Sequence, residues 1–319
     1  MQPRGTSWDK VRNTVRIILT ALSVVLSSSI GFGQTLPPVR GVYPLGMNAL
    51  NSGVTPESGF TYSNLFLYYS RNQFKGANGE VVATGNNSVL MDLNTVVWVS
   101  EKAILGGSKL SLAATLIINN NSLTSDVVGP ISGGGGFGDS YYQPFILGWQ
   151  RDRTAIKVIY GFLAPTGKFR AGTNDNVGNG YWVSAFSSGQ TFYLTRTKST
   201  SLSAFQMYEI HGTQKDTDIH PGQTLNLDYS LMQNIPLRSD NRLEIGLVGY
   251  NQWQTTDTTG PTITPEQASA HYRVTALGFG SGLVLPARKV SLSFKYFREF
   301  SNKSTFQGNS VQISSTINF

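Results

Sequence analysis

From Thr61 to the C-terminus the chain alternates apolar and polar residues in stretches of about ten, each closed by turn residues. After Gly222, the residues Leu225, Leu227, Tyr229 and Leu231 share one face, and Thr224, Asn226, Asp228 and Ser230 share the other. Leu110, Leu112, Ala114, Leu116 and Ile118 alternate in the same way with Ser111, Ala113, Thr115 and Asn119. A period of two marks a strand whose two faces meet different surroundings. About twelve such stretches occur, near 61–70, 88–100, 109–119, 141–150, 153–163, 188–198, 200–213, 222–235, 242–256, 271–285, 289–300 and 309–319. The links sort by parity. Those after even-numbered stretches are short, such as Pro236 to Asn241 and Ala287-Arg288, whereas 71–87, 120–140 and 164–187 are long and polar.

This predicts an all-β fold, a transmembrane antiparallel up-and-down β-barrel of about twelve strands over residues 60–319. In hydrocarbon every backbone N–H and C=O must be paired, so a sheet spans a membrane only by closing on itself. Lipid outside and solute or water inside then force each strand to alternate, and short turns alternate with long loops. A soluble sandwich also alternates, but its strands average about five or six residues. In the last stretch Val311, Ile313, Ile317 and Phe319 are in phase. A final Phe319 with Ile317 resembles the C-terminal signature by which the bacterial outer-membrane assembly machinery receives its substrates.

The N-terminus agrees with that compartment. Lys10, Arg12 and Arg16 precede an apolar run from Ile17 to Leu26, and Gly31-Phe32-Gly33 offers a small-x-small cleavage site. Residues 1–33 therefore read as a secretory signal peptide; the competing reading, an anchor helix, has an apolar core that is short for spanning. Residues 34–59, rich in Pro and Gly, read as an N-terminal periplasmic tail or a partial plug.

Composition narrows the function classes. Charged residues make up 13% of the chain, about half the usual share of a soluble domain. Loss of residues 1–33, with Arg4, Lys10, Arg12 and Arg16 against Asp9, takes the net charge from +7 to +4. No basic block remains, so no nucleic-acid partner is expected. The chain has no cysteine, which removes thiolate nucleophiles, disulfides and cysteine metal sites. His211, His220 and His271 lack metal-ligand spacing, so neither a metal nor a cofactor is expected. Gly133 to Gly136 is followed by no Lys-Ser/Thr and reads as a flexible loop. No G-x-S-x-G occurs, and the chain does not read as an enzyme.

With the polar face turned inward, Asp92, Asn94, Lys157, Asp228, Glu244, Arg273, Lys295 and Glu299 fall in or near the lumen. The reason is energetic: Arg or Lys facing lipid costs about 2–4 kcal/mol at the midplane. These groups either steer solute or fill the barrel as mutually paired charges. In the same phase, Phe205, Met207, Leu277, Phe279 and Phe297 either line a route for an apolar solute or pack beneath a folded-in N-terminal segment. Tyr68, Tyr69, Trp98, Tyr141, Tyr142, Trp149, Tyr160, Tyr208, Tyr250, Trp253, Tyr272 and Tyr296 lie towards strand ends and suit interfacial girdles.

Gly138-Asp139, Pro144, Leu147-Gly148-Trp149, Pro165 to Phe169, Asn176 to Trp182, Gly222 to Asp228 and Gly246 to Tyr250 follow one another in an order and spacing with a precedent. They resemble the outer-membrane proteins named for the meta-pathway of phenol degradation, over roughly Thr61 to Phe319. That resemblance implies a transporter-like barrel in the bacterial outer membrane, in contact with its lipids, for small hydrophobic or aromatic solutes, with no catalytic motif. The expected function is passive uptake of such solutes. The alternative is a structural or surface-interaction barrel with a closed lumen.

Overall fold

The computed structural model describes residues 40–319; the expected signal peptide and residues 34–39 lie outside them. Fourteen strands follow in order: β1 Gly59–Lys75, β2 Val81–Thr84, β3 Ser88–Ile104, β4 Ser108–Ser125, β5 Gly129–Phe137, β6 Ser140–Gln150, β7 Thr154–Ala164, β8 Val183–Tyr193, β9 Thr200–His211, β10 Thr224–Pro236, β11 Arg242–Gln254, β12 Arg273–Leu285, β13 Val290–Glu299 and β14 Phe306–Asn318. Each of twelve pairs antiparallel with its neighbours, and β14 closes the ring on β1 from Thr61↔Asn318 to Phe74↔Phe306. The two short strands, β2 and β5, extend β1 and β4 beyond the ring at the long-loop end. The closed antiparallel barrel expected from the alternation is the fold.

The two faces differ as lipid and lumen require. Phe66, Leu116, Phe186, Leu247, Phe279 and Ile313 stand exposed on the outer wall, where lipid takes the place of a protein core. On β10 the inward residues Thr224, Asn226, Asp228 and Ser230 are buried, while Leu225 and Leu231 are exposed. Phe319 is also exposed, and its N–H donates to the Phe60 carbonyl across the closing seam, 2.8 Å.

Several expected positions need correction. Asp92 and Asn94 do not face the lumen. Leu93 between them is buried against Leu65 and Ile117, so both polar neighbours project outward. There they form a small hydrogen-bonded cluster: Asn64 Nδ2 donates to Asp92 Oδ1 at 2.5 Å, and the Tyr62 hydroxyl donates to Asn94 Oδ1 at 2.6 Å. Mutual bonding softens the cost of polar groups against lipid. The inward side of β1 and β3 mixes Leu65, Leu67, Leu93 and Val97 with Thr61, Ser63 and Thr95, so alternation of polarity no longer identifies which face is wet.

Arg273, Leu277 and Phe279 share the outer face of β12, whereas Val274, Ala276 and Gly280 are buried. Arg273 escapes the lipid penalty because it sits at the long-loop end, bridged through its backbone to Lys303. Four of the expected girdle aromatics, Tyr69, Tyr141, Tyr250 and Tyr272, instead carry buried hydroxyls or pack in the interior.

The eighth strand begins five residues before the expected 188. Its outer face mixes Ser184, Ser188 and Gln190 with Phe186 and Phe192, which blurs the alternation. The next residues form a turn in which Thr195 Oγ1 accepts the Ser199 N–H at 2.9 Å. Gly133 to Gly136 are strand rather than loop: they pair in β5 with Asn119 to Ser122 of β4. Backbone pairing needs no side chains, and Gly133 N–H also donates to the Asn174 carbonyl.

Candidate functional site

Interior side chains just fill an eight-stranded barrel; twelve strands enclose more space, and residues 40–58 occupy much of it. At the long-loop end Arg40 pairs with Glu299 at 2.9 Å and donates to the Tyr69 hydroxyl at 2.7 Å. Below it the backbone N–H groups of Val42 and Tyr43 donate to Glu209, at 2.9 and 3.0 Å. In mid-barrel Asp228 accepts from the Tyr43 hydroxyl at 2.5 Å and from Gly46 and Asn48 N–H at 2.9 and 3.1 Å. Lys295 donates to the Gly46 and Met47 carbonyls. Further down Asn51 donates to Glu244 and Gly53 N–H to Thr191, and at the short-turn end Lys109 donates to Ser58. The segment thus crosses the lumen lengthwise before β1 begins.

Its approach to the wall depends on missing side chains. A Cβ on Gly189 would lie 2.0 Å from the Ser52 carbonyl oxygen, and one on Gly148 would lie 1.9 Å from Thr55 Oγ1. Any larger residue would push the segment off the strands.

The segment leans to one side. Tyr43, Leu45 and Ala49 pack mainly with Phe205, Met207, Met232, Val248, Tyr250 and Phe297 of β9 to β13, and the same cluster takes in Ile146, Ile159 and Ala185 of β6 to β8. Tyr43 stacks on Phe205 at 5.5 Å between ring centroids. Two cavities lie against the opposite wall. The larger, about 250 Å³, lies between Met47, Thr55 and the inner faces of β1, β3, β4, β6 and β7. The smaller, about 40 Å³, reaches towards the long-loop end beside Val42, Leu163 and Val183. Met47, Leu93, Thr115, Tyr141 and Met207 line both.

The sequence candidates therefore divide. Asp228, Glu244, Lys295 and Glu299 point inward and hold the segment. Phe205 and Phe297 pack beneath it. Met207 borders both the packed side and the cavities, and Lys157 faces the larger cavity. Asp92, Asn94, Arg273 and Phe279 play no part in the lumen. Sequence reasoning missed Arg40, Tyr43, Glu209 and His211. Glu209 and His211 continue the phase of Phe205 and Met207, which was signal enough to place them inward. His211 Nε2 lies 2.8 Å from Glu209. Among the described residues no cluster of His, Asp and Glu could hold a metal.

At the long-loop rim Asp139 accepts from Gly167 N–H at 2.9 Å, Asn179 N–H at 2.7 Å and Asn179 Nδ2 at 2.9 Å. Burial pushes its carboxyl above the ordinary range, against the pull of these donors. Gly138-Asp139, Pro165 to Phe169 and Asn176 to Trp182 thus meet in space, and their shared work is to tie the 165–182 loop to the start of β6.

A wall this apolar outside, closed without a free edge, fits lipid and not water. The chain is accordingly a bacterial outer-membrane β-barrel. It belongs to the family described as "Putative MetA-pathway of phenol degradation", whose model matches residues 71–314. No curated protein compared with the sequence matches it. Among solved structures, an outer membrane channel from Pseudomonas putida F1 superposes with a TM-score of 0.69 at 13% identity, over 84% of this chain and 98% of that one. The β domain of the Bordetella autotransporter BrkA gives 0.53 at 10% identity, over 82% of this chain and 100% of that one. At such identities the likeness is one of fold.

Proposed function

We propose that this barrel admits small apolar or aromatic solutes passively across the outer membrane, along the side of the lumen that residues 40–58 leave unfilled. The observation that carries this reading is the pair of cavities joined through Met47, Leu93, Thr115, Tyr141 and Met207, a largely apolar neck beside the more densely packed part of the lumen. The narrow upper part is gated by Met47, Tyr141 and Met207. Methionine is unbranched and soft, so it yields to a passing ring at little cost. A compact apolar solute would enter among the long loops, pass these side chains and rest in the larger cavity.

A closed structural barrel is the competing reading, favoured by the density of charge-assisted bonds holding residues 40–58. Uptake separates the two. Cells lacking the gene are expected to take up labelled toluene or naphthalene several-fold more slowly than cells carrying it. Unchanged uptake across a broad aromatic panel would contradict the transport reading and leave the closed barrel.

A further inference from the structure

We propose that the larger cavity is a binding site for a small monocarboxylate with a compact apolar body, its carboxylate held by Lys157. This rests on the reading of the lumen as a solute route and narrows the solute class. The other lumen-facing cations discussed above have acceptors: Arg40 has Glu299, Lys295 has two carbonyls of residues 46 and 47, and Lys109 has Ser58. Lys157 has no hydrogen-bond acceptor and no carboxylate partner among the described residues, and it lines the cavity. Lys157 is half-buried, and an anion in the cavity would supply the acceptor it lacks.

In the strand register Lys157 lies between Gly148 and Gly189, neither of which offers a side chain. Thr55 sits over Gly148, and its Oγ1 is buried without a partner. Ser111 Oγ, on β4 two strands from Lys157, is likewise buried and unpartnered, and both residues line the same cavity. Thr55 is 5% exposed and Ser111 1%. The ammonium is the donor a carboxylate in the cavity would meet; the two hydroxyls, buried against the wall, would have to turn to reach it.

The rest of the wall is mixed: Leu65, Leu93, Val97, Ile146, Ile159 and Met207 face the same space, with Ser63, Thr95, Thr115 and Gln143 among them. An apolar cavity of about 150 Å³ takes up benzene, so about 250 Å³ holds a ring or short chain with its carboxylate. A bare inorganic anion would satisfy the ammonium and leave the apolar part of the wall uncovered.

The test is calorimetric titration of the purified, folded protein with benzoate, hexanoate, benzyl alcohol and inorganic phosphate. Benzoate or hexanoate is expected to bind at least about tenfold more tightly than benzyl alcohol and phosphate, the preference expected of a charge-assisted contact. Benzoate against hexanoate tells a ring from a chain. Lys157→Met should erase the preference by weakening carboxylate binding far more than benzyl alcohol binding, and Lys157→Arg should keep part of it. Heat-modifiable migration on gels checks folding, with Lys157→Gln read instead if the methionine variant fails. Equal carboxylate affinity in wild type and Lys157→Met overturns the proposal, as does phosphate binding as tightly as benzoate. Benzyl alcohol binding without a carboxylate preference overturns this site alone. Absence of binding by every probe counts against the solute route as well.

Discussion

Deletion of residues 34–57 is expected to raise single-channel conductance in planar bilayers by roughly tenfold or more, because a twelve-stranded ring is wider than its own side chains can fill. The wall does not depend on the segment for closure. Its strands are paired around the whole ring, including the β14–β1 seam. Without the segment, Glu209, Asp228, Glu244, Lys295 and Glu299 face a lumen that water can enter, and their charges become hydrated rather than orphaned. The intact protein should conduct little, since the larger remaining cavity is about 250 Å³ and the one above it about 40 Å³. Equal conductance of the two forms would mean that the lumen is blocked by something other than this segment.

Asp228→Ala is expected to lower unfolding stability by about 3–5 kcal/mol, because three buried donors lose a charged acceptor and each such bond is worth about 1.5–3 kcal/mol. The carboxylate is fully buried and accepts three hydrogen bonds from Tyr43, Gly46 and Asn48. Lys295, 2% exposed, would lose its nearby counter-charge while its two carbonyl acceptors, at positions 46 and 47, shift with the released segment. Asp228→Asn should cost less, because its amide oxygen still accepts from one or two of these donors. Urea titration of the folded protein in detergent, followed by tryptophan fluorescence, measures the difference. A loss below about 1 kcal/mol, the range of an exposed pair, would show that the segment is held elsewhere.

Much of the barrel was legible because lipid imposes a pattern. On β10 the outward leucines and inward Thr224, Asn226, Asp228 and Ser230 stand where strict alternation puts them. The same rule failed on β3. There the lumen side carries Leu93 against Leu65 and Ile117, and the outer side carries Asp92 and Asn94. Where the interior is greasy, polarity alone cannot say which face is inside. On β12 glycines at 278 and 280 removed the inward side chains that would have fixed the phase, leaving Leu277 and Phe279 to suggest the wrong one.

The path of residues 40–58 was the least legible part. Its bonds to Glu209 and Asp228 are made largely by backbone N–H groups, which any non-proline sequence offers. The wall recorded that path better than the segment did. Gly148 and Gly189 interrupt otherwise regular strands where Thr55 and Ser52 press against them. Lys157 was visible as an inward cation, but its lack of a partner is a property of three dimensions.

The chain contains no cysteine, so a single introduced thiol can be modified cleanly. The most direct measurement is aromatic uptake by cells whose only copy carries Ile146→Cys, before and after reaction with a bulky methanethiosulfonate. Ile146 faces the larger cavity, and Phe66→Cys on the outer wall serves as the control. Transport along the unfilled side of the lumen predicts that labelling at 146 abolishes uptake and labelling at 66 leaves it intact. Full modification at 146 with uptake unchanged would contradict it.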